Sequence, residues 1–269
     1  MMVTDAFVFV HQPKTGGHFV REALFKAAEQ ESRDVLRRVA RRFGLASSRF
    51  AIELEPYHGT CHDIPAQHRN KPVLSVVRNP FDYYVSLYHY GWWITHAQDD
   101  YSEMAAVRDR FPHFPDLTFD EFLILTNGFS VEFERLNRGR HARHTNVGLC
   151  SARFISFYFK QPQEAYASLD LNASLEEWKR DMYDVRFLKT HTLNDDLYDF
   201  LSTRGYRGRN IAFVKNKAPV IPLDTRSTLR PSRDYMSYYT QTARELVLAK
   251  DLLLFKMFPE FVGDYSRRP

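Results

Sequence analysis

The sequence predicts an α/β protein built around a central parallel sheet that is flanked by helices. Three apolar runs of strand type carry this prediction: residues 7–10, 72–77 and 185–189. A segment with helical spacing follows each run, and strands that alternate with helices are typical of parallel sheets. A chain of 269 residues can bury roughly 75% of its unfolded surface in one core. We therefore expect a single domain over residues 1–269.

The first run leads through a glycine loop into a helix. The loop covers residues 11–17, and it ends in Gly16 and Gly17. Beyond it, apolar residues recur at the spacing of a helix that buries one face. These residues are Phe19, Val20, Ala23, Leu24 and Ala27. The basic stretch 33–42 is expected to continue as an amphipathic helix with a solvated charged face.

The second run, residues 72–77, is a buried-strand candidate that ends at Arg78. A helix is predicted over residues 81–90, with Asn79 as its cap and Pro80 in its first turn, where a missing N–H costs nothing.

The third run, residues 185–189, precedes a helix over about 194–202 that stops near Gly205. A last long helix is predicted over about 232–258. We interpret residues 91–160 as an insert of helices and loops that covers and shapes the ligand pocket, because ligands of open α/β sheets bind at the carboxyl ends of the strands.

Composition excludes several classes of function. The net charge of +4 is too mild to indicate nucleic-acid binding, although it suits a small polyanionic ligand. Cys61 and Cys150 are the only cysteines, too few for a disulfide framework or a thiolate zinc site. No segment has the ~18 apolar residues of a membrane span, and no basic stretch of signal-peptide type precedes the first strand. We expect a cytoplasmic protein.

Two strand ends carry residues suited to anions. At the first, Lys14 and the N–H groups of a helix start could bind phosphate or sulfate, and the glycines let the ligand approach the backbone. Lys14 precedes the glycines, so this is not a Walker loop; the alternative is an ordinary tight turn. At the second strand end, Arg78 and Ser86 could bind one phosphate monoester together. The alternative is that Arg78 forms an ion pair at the strand end and Ser86 is a surface hydroxyl. Together the two strand ends indicate a nucleotide with two separated anionic groups.

At this point the chain resembles a known family. Residues 9–17 resemble the 5′-phosphosulfate loop of sulfotransferases, and residues 76–88 resemble their 3′-phosphate motif. The resemblance is greatest to the carbohydrate-type and bacterial family-2 sulfotransferases. In these enzymes a His-containing segment, here residues 57–65, precedes the strand that ends at the arginine, here Arg78. The resemblance implies a P-loop NTPase-like fold, 3′-phosphoadenosine 5′-phosphosulfate (PAPS) as donor, and an acceptor hydroxyl as partner.

The resemblance also implies residue roles. Lys14 would contact the bridging oxygen of the donor, and Arg78 and Ser86 would bind its 3′-phosphate. No metal is required, since catalysis would rest on positioning and charge neutralisation. His18 stands where the family has Ser or Thr, and residues 189–191 lack the family's usual acidic residue. The loop residues expected to bind the donor are Pro13, Lys14, Thr15, Gly16, Gly17 and His18.

A histidine is the expected general base, because its pKa lies near working pH. His58 matches the family's histidine, and His62 would share its face if the segment were helical. The pair is also open to interpretation as half of a metal site.

Aromatic residues at helical spacing follow Arg78, and they favour core packing, although Trp92 and Trp93 could face an acceptor. The others are Tyr83, Tyr84, Tyr88 and Tyr90.

Two rival functions stay open. A nucleotide-dependent kinase would need a Walker loop and a metal-binding carboxylate that we do not find. A non-catalytic binder of phosphoadenosine or sulfated glycans could use the basic run 138–143.

Overall fold

The computed structural model describes residues 1–33, 51–137, 146–220 and 234–262. The predicted basic helix beyond residue 33, the basic run 138–143 and the predicted start of the last helix at residue 232 lie outside this part. The chain divides into two compact units, Met1–Arg78 with Asp184–Pro222 and Asn79–Tyr183 with Leu223–Pro269. The single domain stays a prediction.

The first unit contains a five-stranded sheet in the order β3-β1-β2-β4-β5. The strands are β1 (Met2–Thr4), β2 (Val8–Phe9), β3 (Ala51–Glu53), β4 (Val73–Val77) and β5 (Val185–Lys189). The predicted strands β2, β4 and β5 pair in parallel, which confirms the α/β class. The pattern missed β1 and β3, which pair antiparallel at one edge, because three residues are too few to show a period.

Helices α1 (Gly17–Arg33) and α11 (Leu193–Thr203) pack on this sheet. The five apolar residues that predicted α1 are all buried in the shared core. Every residue of β4 is buried, as expected for a strand inside a parallel sheet. The core thus fixes the point at which β2 ends and α1 begins. The same unit holds α12 (Gly208–Ile211) and 3₁₀ turns at Cys61–Asp63, Ala66–His68, Thr190–Thr192 and Ala212–Asn216.

The second unit is helical where it is described. Its helices include α2 (Pro80–Tyr90), α3 (Trp92–Thr95), α4 (Ala97–Asp100), α5 (Met104–Arg110), α6 (Phe119–Phe129), α7 (Val131–Asn137), α8 (Leu149–Tyr158), α9 (Pro162–Ala167) and α10 (Leu175–Asp181). The predicted cap of α2 is confirmed, because the Asn79 side chain accepts from the Phe81 N–H at 3.0 Å and Pro80 is the first helical residue. No helix within the described ranges is long and apolar enough to span a membrane.

The prediction of one long last helix is wrong. The described residues form a 3₁₀ turn, Tyr235–Tyr238, followed by α13 (Gln241–Lys250) and α14 (Leu252–Met257). Thr240 caps α13 through its hydroxyl, and Asp251 separates the two helices. The Asp251 carboxylate is completely buried and accepts the Ser151 N–H of α8, so a tertiary partner holds this residue at the break.

The aromatic cluster packs mainly into the core. Tyr83, Tyr84 and Trp93 are at most 2% exposed, and the Trp93 indole donates to the Tyr88 carbonyl. Core packing is therefore confirmed for these residues. Trp92 is half-buried, and its ring stacks on His96.

Candidate functional site

The glycine loop joins the carboxyl end of β2 to the first turn of α1. Two of its residues have left-handed backbone conformations, Lys14 with a φ of 65° and Gly16 with a φ of 100°. Glycine adopts such angles freely, whereas a lysine does so at a cost that the surrounding structure must offset. Backbone strain of this kind clusters at active sites and ligand clamps.

The carbonyl groups of Gln12, Lys14 and Thr15 in the loop accept hydrogen bonds from side chains. The Thr15 hydroxyl donates to Gln12 O at 2.9 Å, and the Arg78 guanidinium donates to Lys14 O at 2.9 Å. The Thr190 hydroxyl, which follows β5, donates to Thr15 O at 3.0 Å. These carbonyls are thus engaged by the Thr15 hydroxyl of the loop itself and by two side chains, Arg78 and Thr190, that directly follow β4 and β5.

The N–H groups of the same loop have a different status. Within the described residues, the N–H groups of Thr15, Gly16 and Gly17 donate to no acceptor, while Phe19 and Val20 already bond to Gly16 O. A helix start with unsatisfied N–H groups next to a lysine is an anion-binding arrangement. The Thr15 hydroxyl donates to Gln12 O, so its hydrogen is directed at the loop backbone.

Gly17 is required by a contact with His11. A Cβ built at Gly17 would lie 1.7 Å from His11 Cδ2, so any larger residue would displace the imidazole ring. His11 is 4% exposed, and burial lowers its pKa to about 2, with nearby positive groups adding to the effect. His11 is therefore neutral at working pH and serves as a packing element under the loop.

His58 is held by the backbone of His11. Its Nδ1 lies 3.0 Å from His11 O, and a carbonyl can only accept, so Nδ1 must carry the hydrogen. In the neutral imidazole Nε2 then bears the lone pair. His58 itself is exposed. The geometry gives His58 the tautomer that a general base needs at Nε2.

Aromatic rings surround this histidine. The ring centroids of His11 and His58 are 4.7 Å apart, and those of His11 and His18 are 5.4 Å apart. The Tyr57 ring packs against all three histidines, with its hydroxyl 3.4 Å from His18 Nδ1. The loop and the His-containing segment thus meet, as a site made from both requires.

His62 differs from His58 in its local structure. The expected shared helical face does not form, because His58 lies in a turn and His62 lies in the short 3₁₀ turn Cys61–Asp63. His62 is exposed, and its backbone N–H donates to the capping hydroxyl of Thr60. Among the residues that the structure describes, no three His, Cys, Asp or Glu side chains are placed to hold a metal ion.

The second predicted anion site has one member in each unit. Arg78 is half-buried at the end of β4, where it holds Lys14 O. Ser86 is half-buried on α2 in the second unit. The joint binding of a 3′-phosphate by these two residues stays a prediction.

Sequence reasoning missed two residues of this site. His11 lay within the recognised motif, but its role depends on its contact with Gly17, which the sequence does not show. Thr190 belongs to residues 189–191, which lack the acidic residue that the resemblance led us to expect, so only its position at the end of a predicted strand could have indicated it.

Comparison with known proteins gives one distant likeness. No family model matches the chain, and no curated protein sequence matches it. Among solved structures, the mouse sulfotransferase SULT7A1 complexed with PAP is similar over 98% of this chain and 89% of that one, with 14% sequence identity and a TM-score of 0.44. Similarity of this degree carries no argument about residues or activity, which rest on the geometry above.

Proposed function

We propose that the protein is a sulfotransferase that moves the sulfuryl group of PAPS to an acceptor hydroxyl of a carbohydrate or small molecule. One observation carries the proposal: the loop carbonyls are engaged by Thr15, Arg78 and Thr190, while the N–H groups of Thr15, Gly16 and Gly17 have no described acceptor. Such a loop, with Lys14 in it, suits the 5′-phosphosulfate.

In this proposal the donor is bound at both ends. Residues 13–18 surround the 5′-phosphosulfate, with Lys14 near the bridging oxygen, and Arg78 and Ser86 bind the 3′-phosphate. Arg78 then has two tasks, because one of its nitrogens already holds Lys14 O. Guanidinium groups present five donors in a planar fork, so one arginine can serve both partners.

The transfer itself needs a base and a stabilised leaving group. The acceptor oxygen attacks sulfur while the bond between sulfur and the 5′-phosphate oxygen breaks, which releases 3′-phosphoadenosine 5′-phosphate (PAP). Lys14 and the loop N–H groups neutralise the charge that develops on the leaving phosphate. His58 Nε2 takes the acceptor proton, since Nδ1 is occupied by His11 O. His62 is the alternative base. The acceptor pocket is proposed to include the insert of residues 91–160.

Calorimetric titration tests the donor site first. We expect PAP to bind the wild-type protein about tenfold or more tightly than adenosine 5′-monophosphate, because a charged hydrogen bond to the 3′-phosphate contributes about 1.5–3 kcal/mol. Absence of PAP binding would refute the proposal. If PAP binds but sulfur-labelled PAPS transfers its label to no hydroxyl compound, the result would favour a non-catalytic binding protein.

A further inference from the structure

Thr190 occupies a position next to both the loop and β4. It is the first residue of the 3₁₀ turn Thr190–Thr192, directly after β5, and it is half-buried. Its hydroxyl lies 3.0 Å from Thr15 O and 3.1 Å from Val77 O. One hydroxyl hydrogen is thus shared between the loop and the last residue of β4.

The methyl group of Thr190 also faces the loop. A Cβ built at Gly16 would lie 3.9 Å from Thr190 Cγ2 and 3.0 Å from Leu193 Cδ2. The side chain therefore bonds to the carbonyl on one side of the Thr15–Gly16 peptide and flanks the glycine on the other. A valine at position 190 would keep this shape and lose only the hydroxyl.

We infer that Thr190 is a positioning residue of the anion loop, which it ties to the ends of β4 and β5. Arg78 acts on the adjacent carbonyl of Lys14, so two successive peptides of the loop are fixed from the strand ends. Donors that are fixed before the ligand arrives bind it without a further ordering cost. The identity of the ligand, PAPS or PAP, rests on the proposed function.

The test compares four proteins: wild type, Thr190→Val, Thr190→Ser and the control Thr192→Val. Thr192 is exposed, and its hydroxyl donates to Asp196 rather than to the loop. The ligands are PAP and adenosine 3′-monophosphate, which lacks the 5′-phosphate. We expect Thr190→Val to weaken PAP about three- to tenfold, the range of one neutral hydrogen bond, and to leave adenosine 3′-monophosphate unchanged. The serine and control variants should behave like wild type.

A second readout does not depend on the ligand. The Phe19 and Val20 amides bond to Gly16 O, so release of the neighbouring Thr15 carbonyl should lower their protection from hydrogen exchange in Thr190→Val. If that variant does not fold, Thr190→Ala provides the same comparison.

Three outcomes would overturn the inference: unchanged exchange and PAP affinity in Thr190→Val, an equal loss for both ligands, or a serine variant as weak as the valine variant. Failure of wild type to bind PAP would instead refute the proposed function, while the exchange measurement would still decide the role of Thr190.

Discussion

Replacing Asp251 with asparagine should remove a pH-dependent loss of stability in the second unit. Asp251 is 0% exposed, and its Oδ1 accepts the Ser151 N–H at 2.8 Å in the first turn of α8. Gly148, at the cap position of that helix, has no side chain to offer. The buried carboxyl therefore supplies the cap from a distant part of the chain.

The other carboxyl oxygen meets a phenol that has two acceptors. Tyr84 Oη lies 2.8 Å from Asp251 Oδ2 and 2.9 Å from Asn127 Oδ1. Asn127 cannot turn its amide, because its Nδ2 donates to Leu123 O and its Oδ1 accepts the Leu149 N–H. The phenol has one hydrogen, which it shares between the two acceptors.

Burial raises the pKa of Asp251, and the hydrogen bonds from Ser151 and Tyr84 act against that rise. The resulting pKa is about 6, against about 3.9 for an unfolded aspartate. The folded state holds the proton more tightly, so the stabilisation is fully present below about pH 4 and is lost as the pH rises through about 6. A difference of about 2 pKa units at 1.36 kcal/mol each corresponds to a contribution of about 3 kcal/mol to the free energy of unfolding. About 2 kcal/mol of this contribution is lost between pH 4 and pH 8.

The assay is urea unfolding of wild type and Asp251→Asn from pH 4 to pH 8. An asparagine can donate to Tyr84 and accept from Ser151 at every pH. The free energy of unfolding of the variant, relative to wild type, should therefore rise by about 2 kcal/mol across this range. The exposed control Asp116→Asn should show no such rise. A pH-independent difference, or a variant several kcal/mol less stable at pH 8, would refute the reasoning.

The remaining predictions concern the proposed reaction. Lys14→Ala should lower turnover by about 10²- to 10³-fold with little change in thermal stability, because it removes one preorganised partner of the developing charge; turnover within a few-fold of wild type would remove Lys14 from the site. Arg78→Ala should weaken the binding of PAP more than that of adenosine 5′-monophosphate in calorimetry. An equal loss of affinity for both ligands would mean that Arg78 only supports the loop through its bond to Lys14 O. His58→Ala should lower turnover by about 10²- to 10⁴-fold and abolish the low-pH limb of the rate profile, with His62→Ala mild. The reverse order would make His62 the base.

The sequence predicted those parts of the fold that local patterns determine. The strand, loop and helix around Lys14 follow from a short apolar run, two glycines and a helical period, and the start of α2 follows from Asn79 and Pro80. The break at Asp251 was not predictable, because it involves a hydrogen bond to Ser151, 100 residues away in the sequence.

The candidate site was predictable only in outline. Lys14, Arg78 and His58 could be proposed as site residues because each belongs to a recognisable motif. The arrangement of the loop carbonyls could not, since the bond from Thr190 to Thr15 spans 175 residues. The tautomer of His58 likewise depends on a backbone carbonyl that the sequence does not place.

Transfer of labelled sulfuryl groups tests the central claim most directly. The wild-type protein and Lys14→Ala would be incubated with sulfur-labelled PAPS and a panel of carbohydrates, phenols and alcohols, and the products separated from the donor. We predict a labelled product with at least one hydroxyl acceptor for wild type, and about 10²- to 10³-fold less of it for Lys14→Ala. A wild-type protein that binds PAP but labels no acceptor, or a Lys14→Ala variant as active as wild type, would contradict the proposed mechanism.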